Sequence, residues 1–268
     1  MIYRERVDVN VNGQPLRGRT ALVTGAASGI GRATACALAE LGAVIAVLDR
    51  DADGADATAT AVQQSGGHAL AVAADLTELD TLPGVVDALE RDLGELEVLV
   101  NNAGIVTGSR LLDTSVQEWR HVLDVNLTAA FVLLREVGVR MTARGRGTIV
   151  NVSSSSAFRA VDTAGAYAVS KAALGGLTRA AAWELGPSGV RVNAVAPGIT
   201  RTPITAAGVG SDEVLDAAVR QGPLANLLQR VSEPADIAGV IAFLCLPASR
   251  QITGQVIQVS AGAVVAAG

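Results

Sequence analysis

Short runs of apolar residues recur along the chain and alternate with longer segments of helical periodicity. The runs are rich in Val, Ile and Leu at consecutive positions, which is typical of strands covered on both faces. They are TALVTG (20–25), AVIAVLD (43–49), ALAVAAD (69–75), EVLVNNAG (97–104), GTIVNVSS (147–154), VRVNAVAPG (190–198) and QVIQVS (255–260). This pattern predicts a buried parallel sheet of seven strands.

The segments between these runs carry helix start and stop signals. GRATACALAELG closes at Gly42, and EPADIAGVIAFL has Pro234 near its start, as expected at the two ends of helices. Strands that alternate with helices imply right-handed crossovers and helices on both faces of the sheet. We therefore predict an α/β fold with a doubly wound parallel sheet.

Two segments do not follow the alternation. The chain of 268 residues is long enough for one α/β domain, which we place at 16–268 after an N-terminal leader at 1–15. The alternating valines of the leader are compatible with a short ribbon or with disorder. A segment as long as 199–229 inside a compact domain is usually functional.

Composition argues against several classes of partner. Half of the residues are hydrophobic, 18% are charged and the net charge is −5, which disfavours a nucleic-acid-binding surface. No apolar run is long enough to span a membrane, and residues 1–20 lack a signal-peptide core, so we expect a cytoplasmic protein. Neither the cysteines, Cys36 and Cys245, nor the histidines, His68 and His121, show metal-site spacing. We expect no metal.

A glycine-rich turn, TGAASGIG at 24–31, joins the first strand to the first helix. Its residues include Gly25, Ser28, Gly29, Ile30 and Gly31. Glycine adopts backbone conformations closed to other residues, and the amides of a helix N-terminus attract phosphate. The turn is either an ordinary tight turn or the pyrophosphate site of a dinucleotide.

The residue that ends the second strand favours the dinucleotide site. Asp49 comes 18 residues after Gly31, where a carboxylate can accept hydrogen bonds from both hydroxyls of an adenosine ribose and would repel a 2'-phosphate. Arg50 follows at once and could turn toward such a phosphate. We expect NAD, with NADP less favoured; the other interpretation of Asp49 is a surface aspartate at a strand end.

Tyr167 and Lys171 form a second candidate site. The chain has 20 arginines, but Lys171 is its single lysine, and Tyr3 is the only other tyrosine. Positions i and i+4 lie on one face of a helix. An ammonium is compact and has three rotatable donors, so it can bind ribose hydroxyls and lower the pKa of a nearby phenol, whereas a guanidinium is planar and directional. The alternative is a packed tyrosine beside a solvated lysine.

Further motifs follow in a fixed order. They are NNAG at 101–104, DVNLT at 124–128, IVNVSS at 149–154, YAVSK at 167–171 and PGITRT at 197–202. With the glycine-rich turn, they make the chain resemble the short-chain dehydrogenase/reductase family over residues 16–262. The resemblance implies a Rossmann fold, an NAD(P)-dependent oxidoreductase, a small alcohol or ketone substrate and a homotetramer.

The resemblance also implies the catalytic residues. Tyr167 would be the general acid/base and Ser154 would hydrogen-bond the reacting oxygen. Lys171 would position the nicotinamide ribose and tune the tyrosine, and Asn126 would anchor a proton-relaying water. Ser154 precedes Tyr167 by 13 residues, the spacing of the family, which the serines at 153, 155 and 156 do not fit.

Coenzyme contacts follow from the same resemblance. The adenine would lie beside Asp75, the ribose along NNAG, and the carboxamide near Ile199 and Thr202. The implied contacts besides the turn, Asp49 and Arg50 are Asp75, Leu76, Asn102, Ala103, Gly104, Tyr167, Lys171, Pro197, Gly198, Ile199 and Thr202. Asp75 could instead be a helix cap and Asn102 a strand-end hydrogen bonder. Where the family shows an aspartate and two glycines near the end, this chain has VSAGAV at 259–264.

Three classes of function compete. An oxidoreductase that interconverts a secondary alcohol, a polyol or sugar included, and its ketone leads; an NADP-dependent ketone or 3-oxoacyl reductase and a non-catalytic nucleotide-binding regulator are alternatives. A hydrolase is disfavoured because no G-x-S-x-G motif is present. Residues 199–229 would form the substrate lid, and we use that name for them below. The expected subunit contacts are the helix at about 115–141 and the helix of Tyr167, whereas the two tryptophans are interpreted as packing residues.

Overall fold

The computed structural model describes residues 13–159, 162–209 and 211–265. Across these residues, parallel strands form one seven-stranded sheet in the order β3-β2-β1-β4-β5-β6-β7. The strands are β1 (Thr20–Thr24), β2 (Val44–Asp49), β3 (His68–Ala73), β4 (Leu96–Asn101), β5 (Gly147–Val152), β6 (Val190–Pro197) and β7 (Val256–Val259). The doubly wound parallel sheet predicted from the sequence is confirmed.

Helices connect the strands and cover both faces of the sheet. They are α1 (Gly29–Glu40), α2 (Ala52–Gln64), α3 (Leu82–Leu93), α4 (Val116–Leu123), α5 (Ala129–Arg144), α6 (Gly165–Leu185), α7 (Pro203–Val209), α8 (Asp212–Ala218) and α9 (Pro234–Cys245). The last helix starts with proline and a capping box between Glu233 and Asp236, which is the start signal expected from its sequence.

The two faces of the sheet hold separate cores because successive strand residues point to opposite sides. Val23 of β1 packs in a cluster with residues of α1, α2 and α9. Its neighbour Leu22 packs in the other cluster, with residues of α3, α5 and α6. The continuous apolar runs of the central strands therefore reflect burial on both faces.

The strands at the sheet edges are less buried than expected. Leu70 of β3 is 37% exposed, and β7 is only partly buried along its length. Each edge strand has a neighbouring strand on one side alone, so an apolar sequence there does not guarantee burial on both faces.

The helix expected at about 115–141 differs in detail from the prediction. A π-helical turn at Asp124–Thr128 joins α4 to α5, and α5 continues to Arg144. Such turns are frequent at functional sites. Trp183 of α6 is 85% exposed, so its interpretation as a packing residue within the chain was wrong.

Most of the leader, residues 1–12, lies outside the described residues. Leu16 is fully buried and its amide donates to the Leu41 carbonyl at 2.9 Å, so the packed domain begins close to the predicted boundary. In the described ranges, no helix combines the length and apolar character needed to cross a bilayer. The same ranges contain no group of three or more His, Cys, Asp or Glu side chains placed to hold a metal.

Candidate active site

A cleft of about 310 Å³ opens at the carboxyl ends of the strands. The strand order reverses between β1 and β4, and open parallel sheets bind ligands at such a switch point. All but three of the predicted site residues line this cleft. They are Gly25, Ser28, Gly29, Ile30, Asp49, Arg50, Asp75, Leu76, Asn102, Ala103, Gly104, Ser154, Tyr167, Lys171, Pro197, Gly198 and Thr202.

The glycine-rich turn brings the start of α1 against the end of β1. A Cβ atom on Gly31 would lie 2.1 Å from the carbonyl oxygen of Gly25, so a larger residue cannot occupy this position. Gly29 has a φ of +53°, which favours glycine. Ser28 is the N-cap of α1, yet its side chain makes no capping hydrogen bond. The first amides of α1 therefore have no side-chain acceptor, as in a phosphate-binding helix N-terminus.

Asn102 holds the turn in place from the end of β4. Its Nδ2 donates to the carbonyl oxygens of Thr24 at 2.9 Å and Gly25 at 3.0 Å. In return, the hydroxyl of Thr24 accepts from the amides of Asn102 and Ala103, both at 3.1 Å. The Asn102 side chain thus makes the strand-end hydrogen bonds that the alternative interpretation expects, although the residue lines the cleft.

Two carboxylates mark the end of the cleft near β2 and β3. Asp49 accepts from the amide of Ala27 at 2.9 Å, which fixes the carboxylate beside the turn. Asp75 accepts from the amide and the hydroxyl of Thr77 at 2.9 and 2.8 Å. These hydrogen bonds, with a smaller contribution from the charges of Arg50 and His121, hold the pKa of Asp75 below its ordinary value.

Ser154, Tyr167 and Lys171 meet at the other end, where β5 faces α6. The side chains of Ser154 and Tyr167 are hydrogen-bonded. Nζ of Lys171 lies 5.7 Å from the centroid of the Tyr167 ring and donates to the Val152 carbonyl at 2.8 Å. The neighbouring Ser153 donates its hydroxyl to the Lys171 carbonyl at 2.7 Å, so Ser153 braces the helix while Ser154 contacts the phenol.

Asn126 lies behind these residues, in the π-helical turn. Its Oδ1 accepts from the Ile105 amide at 2.8 Å, and its Nδ2 donates to the Ile105 carbonyl at 2.9 Å and to the Ser170 hydroxyl at 3.0 Å. Ser170 in turn donates to the Tyr167 carbonyl at 2.7 Å. Asn126 is 1% exposed, and it joins the loop after β4 to the first turn of α6.

Known proteins of similar sequence are named as dehydrogenases and reductases. A family model described as Enoyl-(Acyl carrier protein) reductase matches residues 25–264. The cis-4-hydroxycyclohexanecarboxylate dehydrogenase of Sinomonas cyclohexanicum is 39% identical over 251 residues, covering 93% of this chain and 98% of that protein. The chain belongs to the short-chain dehydrogenase/reductase family.

Solved structures of short-chain dehydrogenases/reductases share the whole fold. A Beutenbergia cavernae protein described as a candidate NAD(P) dependent gluconate 5-dehydrogenase, with bound NADP at low occupancy, is 41% identical and has a TM-score of 0.86, over 94% of this chain and 99% of that one. A 7α-hydroxysteroid dehydrogenase complexed with NADH and a 7-oxo bile acid is 34% identical with a TM-score of 0.86, over 93% and 96%. This chain is therefore an NAD(P)-dependent oxidoreductase.

The cleft of this short-chain dehydrogenase/reductase fits a nicotinamide dinucleotide. The uncapped start of α1 and the absence of a side chain at Gly31 suit a pyrophosphate. A Cβ atom on Gly104 would lie 3.0 Å from Nζ of Lys171, so glycine keeps the space around the ammonium open. When bound, the coenzyme supplies a hydride acceptor or donor; holding it is the task of residues at both ends of the cleft.

The pKa of Tyr167 is raised, whereas the sequence led us to expect that the ammonium of Lys171 would lower it. Burial raises the pKa of the phenol, and the hydrogen bond with Ser154 lowers it by less. Burial also lowers the pKa of Lys171 from 10.5 to about 8. Both shifts follow from removing charge from water, and this desolvation cannot be read from the spacing of the motif.

Three predicted residues do not line the cleft, each for a separate reason. Gly31 is pressed against Gly25, and Asn126 is buried beneath the surface of the cleft. Ile199 packs instead with Leu215, Val219 and Val231 in a small cluster under the lid. The side chain of Ile199 therefore contributes to the packing of the lid, and its expected position at the carboxamide stays a prediction.

The sequence motifs did not predict several other residues that line the cleft. They are Leu48, Ala74, Thr77, Ile105, His121, Val125, Val152, Ser153, Thr200, Pro203, Ile204 and Thr205. Several adjoin the motifs, and Thr200 lies inside PGITRT, while Thr205 follows it by three residues. His121 had no such signal, because its place beside the cleft depends on how α4 packs.

Proposed function

We propose that this chain uses NAD to interconvert a secondary alcohol and its ketone, with Tyr167 as the general acid/base. The observation that carries the proposal is the hydrogen-bonded Ser154–Tyr167 pair beside the buried ammonium of Lys171. These groups lie at one end of a cleft that also contains the uncapped start of α1, a suitable site for a phosphate. A nucleotide-binding regulator has no need of such an arrangement.

Each of these side chains has a distinct task. In alcohol oxidation, the Tyr167 phenolate would accept the hydroxyl proton, and in ketone reduction the Tyr167 phenol would return it. A bound nicotinamide would supply the hydride acceptor or donor. Ser154 holds the reacting oxygen with its hydroxyl. Lys171 positions the ribose, and its charge favours the phenolate at the moment of transfer. Burial raises the pKa of the Tyr167 phenol, which disfavours its charged form.

Asn126 is proposed as a positioning residue with a water beside it. Its amide oxygen and both N–H groups already have partners on Ile105 and Ser170. A water could still share the second lone pair of Oδ1. The principal effect of Asn126 is then to fix the first turn of α6, from which Tyr167 and Lys171 project.

The preference for NAD over NADP rests on Asp49. Its carboxylate is held beside the turn by the amides of Ala27 and Asp51, so it cannot easily move away from an incoming 2'-phosphate. We expect Asp49→Ala to lower kcat/KM with NAD and to raise it with NADP. Arg50→Ala is the matched control, and it should weaken whatever NADP activity exists. Equal use of both coenzymes by the wild type would contradict the assignment.

The lid side of the cleft favours an uncharged ring at the reacting end of the substrate. The acidic and basic residues that line the cleft are Asp49, Arg50, Asp75, His121 and Lys171. The first four belong to the β2–β3 side or to α4, whereas the lid contributes threonines, Pro203 and Ile204. Of two similar proteins, one is named for a ring alcohol and the other holds a ring ketone, and both of these compounds also carry a carboxylate. We propose a ring-bearing secondary alcohol over a polyol, with any carboxylate on it lying away from the lid.

We further propose that the chain forms a homotetramer. Phe131 and Val139 on α5 are 44% and 65% exposed, and Val169 and Trp183 on α6 are 44% and 85% exposed. Exposed apolar faces on two neighbouring helices suit contacts between copies. Light scattering should give four chain masses for the wild type and a smaller assembly for Trp183→Asp; a monomeric wild type would contradict this proposal.

Absorbance at 340 nm tests the reaction directly. The purified chain should reduce NAD with a panel of ring-bearing secondary alcohols and act poorly on polyols. Tyr167→Phe keeps most of the packing of the ring but removes the transferable proton, so kcat should fall at least ~100-fold. A folded variant that retains activity within a few-fold would overturn the assignment, and coenzyme binding without turnover on a broad panel would favour a regulator.

A further inference from the structure

Arg201 connects the lid to the core through three carboxylates. Its Nη1 lies 2.5 Å from Asp212, its Nη2 donates to Asp216 at 2.7 Å and its Nε donates to Glu233 at 2.9 Å. Asp212 and Asp216 are one turn apart on α8, whereas Glu233 is the N-cap of α9, which packs in the main core. One guanidinium therefore joins a lid helix to a fixed helix.

The backbone of Arg201 is fixed at the same place. Its amide donates to the Ser232 carbonyl at 2.9 Å, and the amide of Ser232 donates to the Ile199 carbonyl at 2.9 Å. The neighbours of Arg201 on both sides, Thr200 and Thr202, line the cleft. The side chain of Arg201 thus starts from a rigid base and reaches outward to α8.

The segment between Arg201 and α8 carries cleft-lining side chains. Ile204 and Thr205 project from α7 into the cleft, and α7 is a helix of two turns whose stability in isolation would be negligible. On the far side, α8 is held by Leu215 in the small lid cluster and by its two ion pairs with Arg201. The placement of α7 therefore depends on how firmly α8 is held.

We propose that Arg201 is a positioning residue for the reaction, which orders the lid before substrate binds and thereby sets the KM for the alcohol. This inference rests on the proposed function, because it assigns the substrate to the lid side of the cleft. Without the guanidinium, three carboxylates face each other with no cation between them. The lid base then loosens, and substrate binding must supply the ordering of α7.

Replacing Arg201 should change the KM of the alcohol and leave kcat and the Kd of NAD nearly unchanged. Arg201→Gln should raise the KM of the alcohol about five- to twentyfold, since each partly exposed ion pair contributes at most a few-fold. The kcat should stay within about threefold and the Kd of NAD within about twofold, because Ser154, Tyr167 and Asp49 keep their contacts. Arg146→Gln is the matched control. Arg146 directly precedes β5 and forms ion pairs with Glu95 and Glu97, so its replacement should change none of these constants.

A double-mutant cycle separates the ion pairs from a general loss of packing. Asp216→Asn alone should raise the KM two- to fivefold, and Arg201→Gln should have a smaller effect in the Asp216→Asn background than in the wild type. An unchanged KM in Arg201→Gln, an equal rise in Arg146→Gln or independent effects of the two substitutions would each overturn the proposal.

Hydrogen exchange tests the lid without any substrate. In the coenzyme-free protein, the backbone amides of residues 204–209 and 211–218 should exchange about tenfold faster in Arg201→Gln than in the wild type, and at the wild-type rate in Arg146→Gln. Unchanged exchange would overturn the role of Arg201. If the wild type turned over no alcohol, the proposed function would fail, whereas accelerated exchange would still establish Arg201 as the residue that orders the lid.

Discussion

The amide group of Asn126 donates to the hydroxyl of Ser170 at 3.0 Å, and this contact joins the π-helical turn to the helix that carries Tyr167. The Ser170 hydroxyl in turn donates a hydrogen bond to the Tyr167 carbonyl. A buried side chain outside the motif's three catalytic positions therefore determines how the phenol is presented.

We expect Ser170→Ala to lower both stability and activity. The substitution leaves a buried N–H of Asn126 without its acceptor, which costs about 1–3 kcal/mol, and it frees the first turn of α6. Urea unfolding and steady-state kinetics measure the two effects. Ser65→Ala is the control, because Ser65 also donates its hydroxyl to a helix carbonyl but is exposed; equal losses in both variants would contradict a specific role for Ser170.

The buried ammonium of Lys171 makes coenzyme-free stability depend on pH. Below about pH 8, the folded and unfolded chains both hold this proton, and the folded state carries the full cost of burying the charge. Between about pH 8 and 10.5, the unfolded chain binds more protons, so this group raises the free energy of unfolding with pH, by up to ~3 kcal/mol. Lys171→Met should therefore be more stable than the wild type at pH 7.5 by about 1–3 kcal/mol.

The comparison of the two proteins across pH isolates this group. Urea unfolding between pH 7.5 and about 9.5 should show the advantage of Lys171→Met narrowing as the pH rises, since other titrating groups cancel in the difference. A difference in stability that does not change with pH would exclude the lowered pKa. The same variant should lose activity with NAD at every pH.

Two glycine-to-alanine substitutions should differ in their effects: one should weaken NAD binding, and the other should stabilise the fold. In Gly31→Ala, the new Cβ would lie 2.1 Å from the Gly25 carbonyl oxygen, so the turn must shift and NAD binding should weaken by more than tenfold. Gly239 lies inside α9, and a methyl group added there would meet no heavy atom within 4 Å, so Gly239→Ala should stabilise by about 0.5–1 kcal/mol. Thermal unfolding and coenzyme titration distinguish them; unchanged NAD affinity in Gly31→Ala would contradict the close packing.

We expect Ala261→Gly to stabilise the chain, at a position where the sequence departs from the family pattern. Its φ of +52° lies in the left-handed region, which costs a residue with a Cβ roughly 1–2 kcal/mol, and the family shows glycine after the last strand. Ala261→Gly should remove that strain and, after the entropy of the unfolded chain is counted, stabilise by about 0.5–1 kcal/mol. A lower midpoint in urea would contradict this account.

The parts of the structure that follow local rules were predictable from the sequence. Strand runs such as 147–154 and the turn before Gly31 depend on nearby residues, and their positions are confirmed. The placement of Tyr167 and Lys171 on one face of a helix also followed from their i, i+4 spacing. These features need no knowledge of what packs above them.

The remaining features depend on contacts between distant segments. Ile199 follows the predicted strand, but its side chain joins Leu215 and Val231, which the sequence places far along the chain. The raised pKa of Tyr167 arises from burial by several elements at once. Likewise, the position of His121 beside the cleft depends on the packing of α4, and no residue next to it in sequence signals that location.

The rarity of lysine in this chain has a consequence for its covalent chemistry. Lys171 carries the single ε-amino group of the sequence and is 3% exposed, whereas arginines supply the surface cations. An acylating reagent or cross-linker that seeks such an amine must enter the catalytic cleft to reach it. Labelling of that nitrogen would then report directly on whether the cleft is open or filled.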